Sequence, residues 1–252
     1  MRPRVRILNG EFDPLTLVET ADAVFELVRA RKRGWLCTVN VATLMAMRDD
    51  PRLQSFVDRA AIVVADGQPL VWCAPLFHGR LPERVAGIDL IDAICARSVA
   101  AGAGIYLLGS TDPLLQRALT CLRQRYPGLR IVGADGYFTL GEAPDRAEAI
   151  ASSGSSILLV GMGSPLQEDF IQRHWSRLGV AVAIGVGGSF DVLAGARFRA
   201  PVPMRRAGLE WLVRLVQEPR RLLPRYAGTN TRFCLLIVDA LVLRLKRWIR
   251  AT

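Results

Sequence analysis

A chain of 252 residues can bury a substantial core as one large domain or two small ones, and its formal charge of +10 is unevenly placed. Five cysteines (Cys37, Cys73, Cys95, Cys121, Cys234) lie far apart with no Cys-x-x-Cys pair, and the only histidines are His78 and His174; this argues against a zinc site and for a reduced compartment. No apolar stretch of the secretory kind follows Met1-Arg-Pro-Arg4, so no signal peptide is read there.

The pattern predicts a short strand over 4–8, a helix over 16–33 with Leu17, Ala21, Val24, Phe25 and Val28 on one face, and a strand over 35–39. A helix over 41–48 stops at Asp49-Asp50-Pro51. Ile62-Val63-Val64-Ala65 then reads as a buried strand that runs straight into Asp66, followed by a tight turn and a helix from about Pro69. Further on, helices are predicted from Asp89 or Gly87 to about Ala101, over 113–125, over 142–152 and over 166–177. Strands are predicted over 104–108, 129–133, 157–160 and 180–184. This alternation predicts an α/β fold, a Rossmann-like, doubly wound, mostly parallel sheet over residues 1–200, with a soft internal boundary near Ala103.

Open α/β sheets place their chemistry at the carboxyl ends of their strands. A crossover helix joins the strands that end near Thr38 and Asp66, so both residues fall at one edge of a parallel sheet. Asp66 either caps the following helix or serves chemistry, and the stretch alone leaves both open. Gly-rich turns follow three strands, at 109–110, 161–164 and 185–189 with Gly187 at its centre; such turns expose amides suited to phosphate. None reads Gly-x-Gly-x-x-Gly and no ribose-binding acid follows, which disfavours a dehydrogenase. There is no phosphate-binding Lys loop and no Asp-x-Asp pair for a divalent metal, so no metal and no cofactor are expected. Arginines must then neutralise any diphosphate. His174 reads as structural. Gln167, in the first turn of its helix, either satisfies amides or binds a sugar hydroxyl.

Residues 201–252 form a basic appendage. From Arg205 to Arg250, eleven Arg and Lys stand against Glu210, Glu218 and Asp239. Residues 207–217 are amphipathic, with Leu209, Leu212, Val213 and Val216 on one face. Phe233 to Leu243 is apolar but for Asp239, and rises only about 16 Å as a helix, short of the roughly 30 Å of a bilayer core. With Trp248 and several arginines beside it, this run fits a helix lying in an anionic headgroup plane; the bland alternative is a core helix with a solvated end. Nucleic acid is disfavoured, because Trp248 is the only aromatic among the closing basic residues and no reader motif is present.

Six pieces occur in order: Thr38-Val-Asn40, Ala65-Asp-Gly-Gln-Pro69 with Trp72, Arg84-Val-Ala-Gly-Ile-Asp89, Gly161-Met-Gly-Ser-Pro-Leu-Gln-Glu168, Gly185-Val-Gly-Gly-Ser-Phe-Asp191, and Arg199-Ala-Pro with Gly208-Leu-Glu-Trp211 and Glu218-Pro-Arg-Arg221. Together they resemble the WecG/TagA/CpsF family of bacterial glycosyltransferases over roughly residues 5–227. The resemblance implies inverting, metal-independent transfer of a sugar from a UDP-sugar to a polyprenyl-diphosphate-linked saccharide in surface or exopolysaccharide biosynthesis, by an enzyme peripheral to the cytoplasmic face of the inner membrane. It implies Asp66 as general base and Thr38 and Asn40 as its neighbours on the donor sugar or acceptor. Arg84, Gln167 and Gly187 fall at pocket positions, and Tyr137 and Asp191 on the uracil side. Arg214, Arg221 and Arg225 of the appendage are its diphosphate contacts. The tail beyond Thr229 is longer and more apolar than the family motifs require. Self-association, the donor sugar and the acceptor glycan are left open. Competing readings are another nucleotide-binding α/β enzyme of dehydrogenase type and a non-catalytic membrane-surface protein.

Overall fold

A computed structural model describes residues 2–251, apart from the side chains of residues 206, 221, 244, 245 and 247–251. The chain opens with a hairpin of β1 (Val5–Ile7) and β2 (Gly10–Phe12), followed by α1 (Leu17–Arg29), β3 (Gly34–Val39), α2 (Val41–Asp49), α3 (Pro51–Asp58) and β4 (Ile62–Ala65). Next come α4 (Gln68–Cys73), a 3-10 turn over Ala74–Phe77, α5 (Gly87–Ala101), β5 (Ile105–Gly109), α6 (Asp112–Arg125) and β6 (Ile131–Ala134). The core closes with α7 (Ala143–Ser152), β7 (Ile157–Gly161), α8 (Leu166–His174), β8 (Val182–Gly185) and α9 (Ser189–Leu193). Three further helices follow: α10 (Val202–Arg206), α11 (Glu210–Gln217) and α12 (Pro219–Ala251).

Six strands form one parallel sheet in the order β4-β3-β8-β7-β5-β6. Its strands read as continuous apolar runs because both faces are covered. One face packs against α2, α3, α7 and α8 through residues such as Leu44, Phe56, Ile150 and Phe170. The other packs against α1, α5, α6 and α9 through Val24, Ile91, Leu119 and Phe190. After β5 the chain moves outward to β6, whereas after β7 it moves inward to β8, so a crevice opens at the carboxyl ends of β5 and β7. Residues on both sides of Ala103 share this sheet, since β3 pairs with β8.

The predicted first strand forms outside the sheet. Leu8, at φ 54, turns it back on β2, and Asp13 then ties the hairpin to β4: its amide donates to the Val63 carbonyl at 2.7 Å and its Oδ2 accepts from the Val63 amide at 2.8 Å. The Asp49-Asp50-Pro51 stop is also a start. Asp50 Oδ1 accepts from the Arg52 amide at 2.8 Å, and Pro51 takes the first position of α3. Helix α3 delivers Phe56, 1% exposed, onto Trp35 at a ring separation of 4.9 Å, while Trp35 Nε1 donates to the Phe56 carbonyl at 3.0 Å. Phe56→Ala is expected to cost about 3–5 kcal/mol, read as a lowered denaturation midpoint at unchanged slope.

The largest departure from expectation is α12. It is one helix of 33 residues, about 50 Å long, because Gly228-Thr-Asn-Thr231 does not break it. Within it Leu222–Leu243 is 22 residues with a mean hydropathy of 1.2, long and apolar enough by length and composition to cross a membrane. This is twice the eleven residues of Phe233 to Leu243, so shortness does not keep the helix from spanning a bilayer. Along its middle, α12 packs on α2: Phe233 is buried in the core with Leu236 and Ile237 beside it, and Arg232 forms two bonds to Asp49, at 2.6 and 2.8 Å. Leu235, Val238 and Val242 stay exposed on another face.

Candidate active site

Asp66 sits one residue past β4, and Asn40 one residue past β3. Their strands are in register at Val39 and Ala65, and the Asp66 amide donates to the Val39 carbonyl at 2.9 Å. Asn40 caps α2, its Oδ1 accepting from the Thr43 amide at 3.0 Å. Asp66 does not cap: the N-cap of α4 is Gly67, without a side-chain bond, and among the described residues none donates a hydrogen bond to the Asp66 carboxylate. Capping, one of the two roles open for Asp66 in the sequence, is thus not the one it takes.

The surroundings of Asp66 are charged. The Val85 amide donates to the Ala65 carbonyl at 2.8 Å, which continues the edge of β4 and brings Arg84 beside Asp66. Arg84 Nη2 lies 2.6 Å from Glu210 Oε2, and Glu210, in the first turn of α11, is 5% exposed. One turn on, Arg214 Nη2 is 3.9 Å from Glu210 Oε1. On α5, Asp89 accepts from Arg199 at 2.5 Å and faces Arg205 at 3.8 Å. Burial pushes the Asp66 carboxyl from 3.8 up to about 6; Arg214 and Arg84 hold it down, while Glu210 and Asp89 add to the rise. A carboxylate of that affinity is ionised at neutral pH and basic enough to accept a proton in a transition state.

Thr38 and Gln167 meet at Gly185. Thr38 Oγ1 donates to the Gly185 carbonyl at 3.1 Å, and a Cβ on Gly185 would fall 2.5 Å from Gln167 Nε2. Gln167 is buried; its Oε1 accepts from the Gly187 amide at 3.1 Å and its Nε2 donates to Glu168 at 2.9 Å. It therefore satisfies an amide of the Gly-rich turn, one of its two predicted roles. Burial raises the Glu168 carboxyl, with the Gln167 amide opposing. His174 packs its ring 5.0 Å from Phe170, a structural place as predicted.

A second group surrounds the β5/β7 crevice. Gly109 and Gly161 touch so closely that a Cβ on Gly109, at φ 146, would lie 2.5 Å from the Gly161 carbonyl. Ser110 Oγ donates to Asp191 at 2.7 Å, and Arg197 reaches the same carboxylate at 3.3 Å. The Ser110 carbonyl accepts from the Gly136 amide at 3.0 Å, which brings the exposed Tyr137 to the same rim.

The appendage arginines separate. Arg214 faces Asp66. Arg225 lines a groove of about 290 Å³ with Thr43, Asp49, Asp50, Ser164 and Pro165, beside α2. The Arg221 side chain lies outside the described residues. Glu210 stands within a family-like motif, but its only local signal is an acid in a first helical turn, which any helix dipole favours. Ser110 lies in the turn at 109–110 that the sequence marks, but nothing local ties it, or Arg197, to Asp191.

The profile of the Glycosyl transferase WecG/TagA/CpsF family matches residues 5–247. Over 221 residues the chain is 28% identical to an N-acetylglucosaminyldiphosphoundecaprenol N-acetyl-beta-D-mannosaminyltransferase of Staphylococcus aureus (strain MW2), an alignment covering 87% of each chain. The uncommitted carboxylate at the end of β4, the arginines around it and the Gly-rich crevice thus lie in a sequence matched almost from end to end, and the chain belongs to the WecG/TagA/CpsF family of glycosyltransferases.

Proposed function

We propose that this glycosyltransferase moves a sugar from a UDP-sugar to a polyprenyl-diphosphate-linked saccharide, with inversion and without a metal, in building bacterial surface or exopolysaccharide. The observation that carries the reading is Asp66, a carboxylate with no hydrogen-bond donor among the described residues, raised to about 6 and flanked by arginines. Inversion in one step needs one base. Asp66 takes the proton of the acceptor hydroxyl as its oxygen bonds to the anomeric carbon, while the bond from that carbon to the β-phosphate oxygen breaks and UDP departs with the electron pair. Charge then grows on the diphosphate, where Arg84 and Arg214 stand as donors. Thr38, Asn40 and Gln167 frame the sugar between them, and Tyr137 and Asp191 the base of the nucleotide. The carboxylates nearest Asp66, Asp89 and Glu210, are occupied by arginines, a donor set that suits a metal-free diphosphate site.

The relative's name supports a lipid-diphosphate acceptor and makes N-acetylmannosamine the first donor to try. In this reading residues 1–200 hold the donor and residues 201–252 bring arginines and a membrane-facing surface. Helix α12 lies along the cytoplasmic face of the inner membrane rather than crossing it. Crossing would break the Arg232–Asp49 pair, pull Phe233 from the core and put Arg232 and Asp239 into hydrocarbon at about 2.5–3.5 kcal/mol each.

The test is UDP release by the purified chain in detergent, with a short-chain polyprenyl-diphosphate saccharide and a panel of UDP-sugars, with and without EDTA. Turnover with one donor, unchanged by EDTA and giving the opposite anomer by NMR, is expected. Loss of turnover in EDTA overturns the metal-free mechanism, and retention of configuration overturns the single base.

A further inference from the structure

Glu210 occupies an unusual place. It is the one described carboxylate that the appendage inserts among the charges around Asp66, it is almost fully buried, and it comes from 126 residues beyond its partner Arg84. A guanidinium 2.6 Å away on one oxygen and a second at 3.9 Å on the other leave it no freedom to meet substrate. The groups facing Asp66 are Arg84 from the segment before α5, Asp89 from the first turn of α5, and Glu210 and Arg214 from α11. Asp89 is itself engaged by Arg199 and Arg205. Two guanidiniums turned on a lone carboxylate would hold its proton affinity down and make it a poor base. Both are turned on Glu210 instead, and Asp66 carries no ion pair among the described residues.

We propose that Glu210 is a positioning residue of the transfer reaction: by holding Arg84 and Arg214 it keeps Asp66 free and basic, and it makes the base competent only when α11 is seated over the site. The proposal rests on Asp66 being the base. Its consequence is that the appendage tunes the chemistry of the core as well as covering it. Substrate diphosphate reaching Arg84 has to share that guanidinium with Glu210, so the pair also sets how strongly Arg84 grips the donor.

The test compares pH profiles of kcat and kcat/KM for the wild-type chain, Glu210→Gln, Glu210→Asp and Asp66→Asn, with thermal melts across the same pH range. In Glu210→Gln the acid limb is expected to move to lower pH by roughly half a unit or more, as the guanidiniums turn to Asp66. The plateau kcat falls about tenfold and the KM for donor does not rise. Glu210→Asp, which keeps the charge but withdraws it by one methylene, places the limb between those of wild type and Glu210→Gln. The pH dependence of the melting temperature, a readout independent of turnover, shifts in the same direction as the limb. An unmoved limb in Glu210→Gln, while Asp66→Asn is inactive, overturns the role of Glu210 and leaves the base intact. If Glu210→Gln does not fold, Glu210→Asp decides: a limb shifted as the carboxylate withdraws supports the proposal, and an unshifted limb with raised donor KM assigns Glu210 to ground-state binding and overturns it. Full activity in Asp66→Asn is the separate failure of the base itself.

Discussion

Asp66→Asn is expected to lower kcat about a thousandfold while leaving binding of the UDP-sugar within a few-fold, because only the proton transfer of the transition state is lost. The same change is expected to make the protein more stable at pH 7. The sign follows from the raised carboxyl. The unfolded chain ionises Asp66 near 3.8 and the folded chain near 6, so between those values the folded state binds more protons and stability falls as pH rises. Above pH 6 the full cost of keeping the carboxylate ionised remains. For a shift of this size that cost is up to about 3 kcal/mol, less what solvent at the partly exposed site recovers. Asn removes it. Melting temperatures at pH 7.5 should therefore stand several degrees higher in the variant, with the difference vanishing below pH 4. The wild-type acid limb near pH 6 should be absent from any residual activity. A variant that is inactive but no more stable at pH 7.5 would mean that Asp66 is not held at a cost, and its role as a tuned base would go with it.

Which parts of this site the sequence discloses depends on how far apart the interacting residues lie. An apolar run ending in Asp66, and another ending at Thr38, mark strand ends, and the helices between them dictate a parallel sheet; those inferences need only local pattern and the handedness of crossovers. The function of Asp66 is not local. Asp-Gly-x-Pro serves a capping acid and a catalytic one equally, and the choice turns on whether Gly67 or Asp66 holds the N-cap. Glu210 and Arg84 meet across 126 residues, and Ser110 and Asp191 across 81, so neither pair leaves a periodic trace. Helix α12 runs further than its apolar stretch alone suggests, because tertiary anchoring overrides a weak local segment. Gly228-Thr-Asn-Thr231 has poor helix propensity, and propensity yields where Leu222 and Phe233 on either side are anchored in the core and Arg232 on Asp49. Arg225 follows from that geometry, since a continuous helix carries it to the groove beside α2 instead of to Asp66.

Gly208→Val is expected to reduce kcat about a hundredfold in a chain whose sheet remains folded, because it displaces α11 and with it both Glu210 and Arg214. Gly208 follows α10 in a left-handed turn at φ 73: its amide donates to the Arg205 carbonyl at 3.1 Å, and the Leu209 amide to the Met204 carbonyl at 2.8 Å. This closure of α10 fixes where α11 begins, two residues on. The turn is also packed directly on α4, the helix that follows Asp66: a Cβ at 208 would lie 2.6 Å from Gln68 Cγ and 2.9 Å from the Trp72 ring. A β-branched side chain thus meets two obstacles, backbone strain and a wall. Gly102→Val separates them. Gly102 has a similar φ of 62, caps the far end of α5, and has nothing within 4 Å of the added Cβ. That variant should lose stability through strain alone and keep kcat within a few-fold. The two variants are compared by turnover and by circular dichroism melts. If both lose the same activity, strain rather than the seating of α11 explains the loss. If neither does, the appendage acts on the reaction without resting on α4, and the path from Gly208 through Glu210 to Asp66 is not the one that matters.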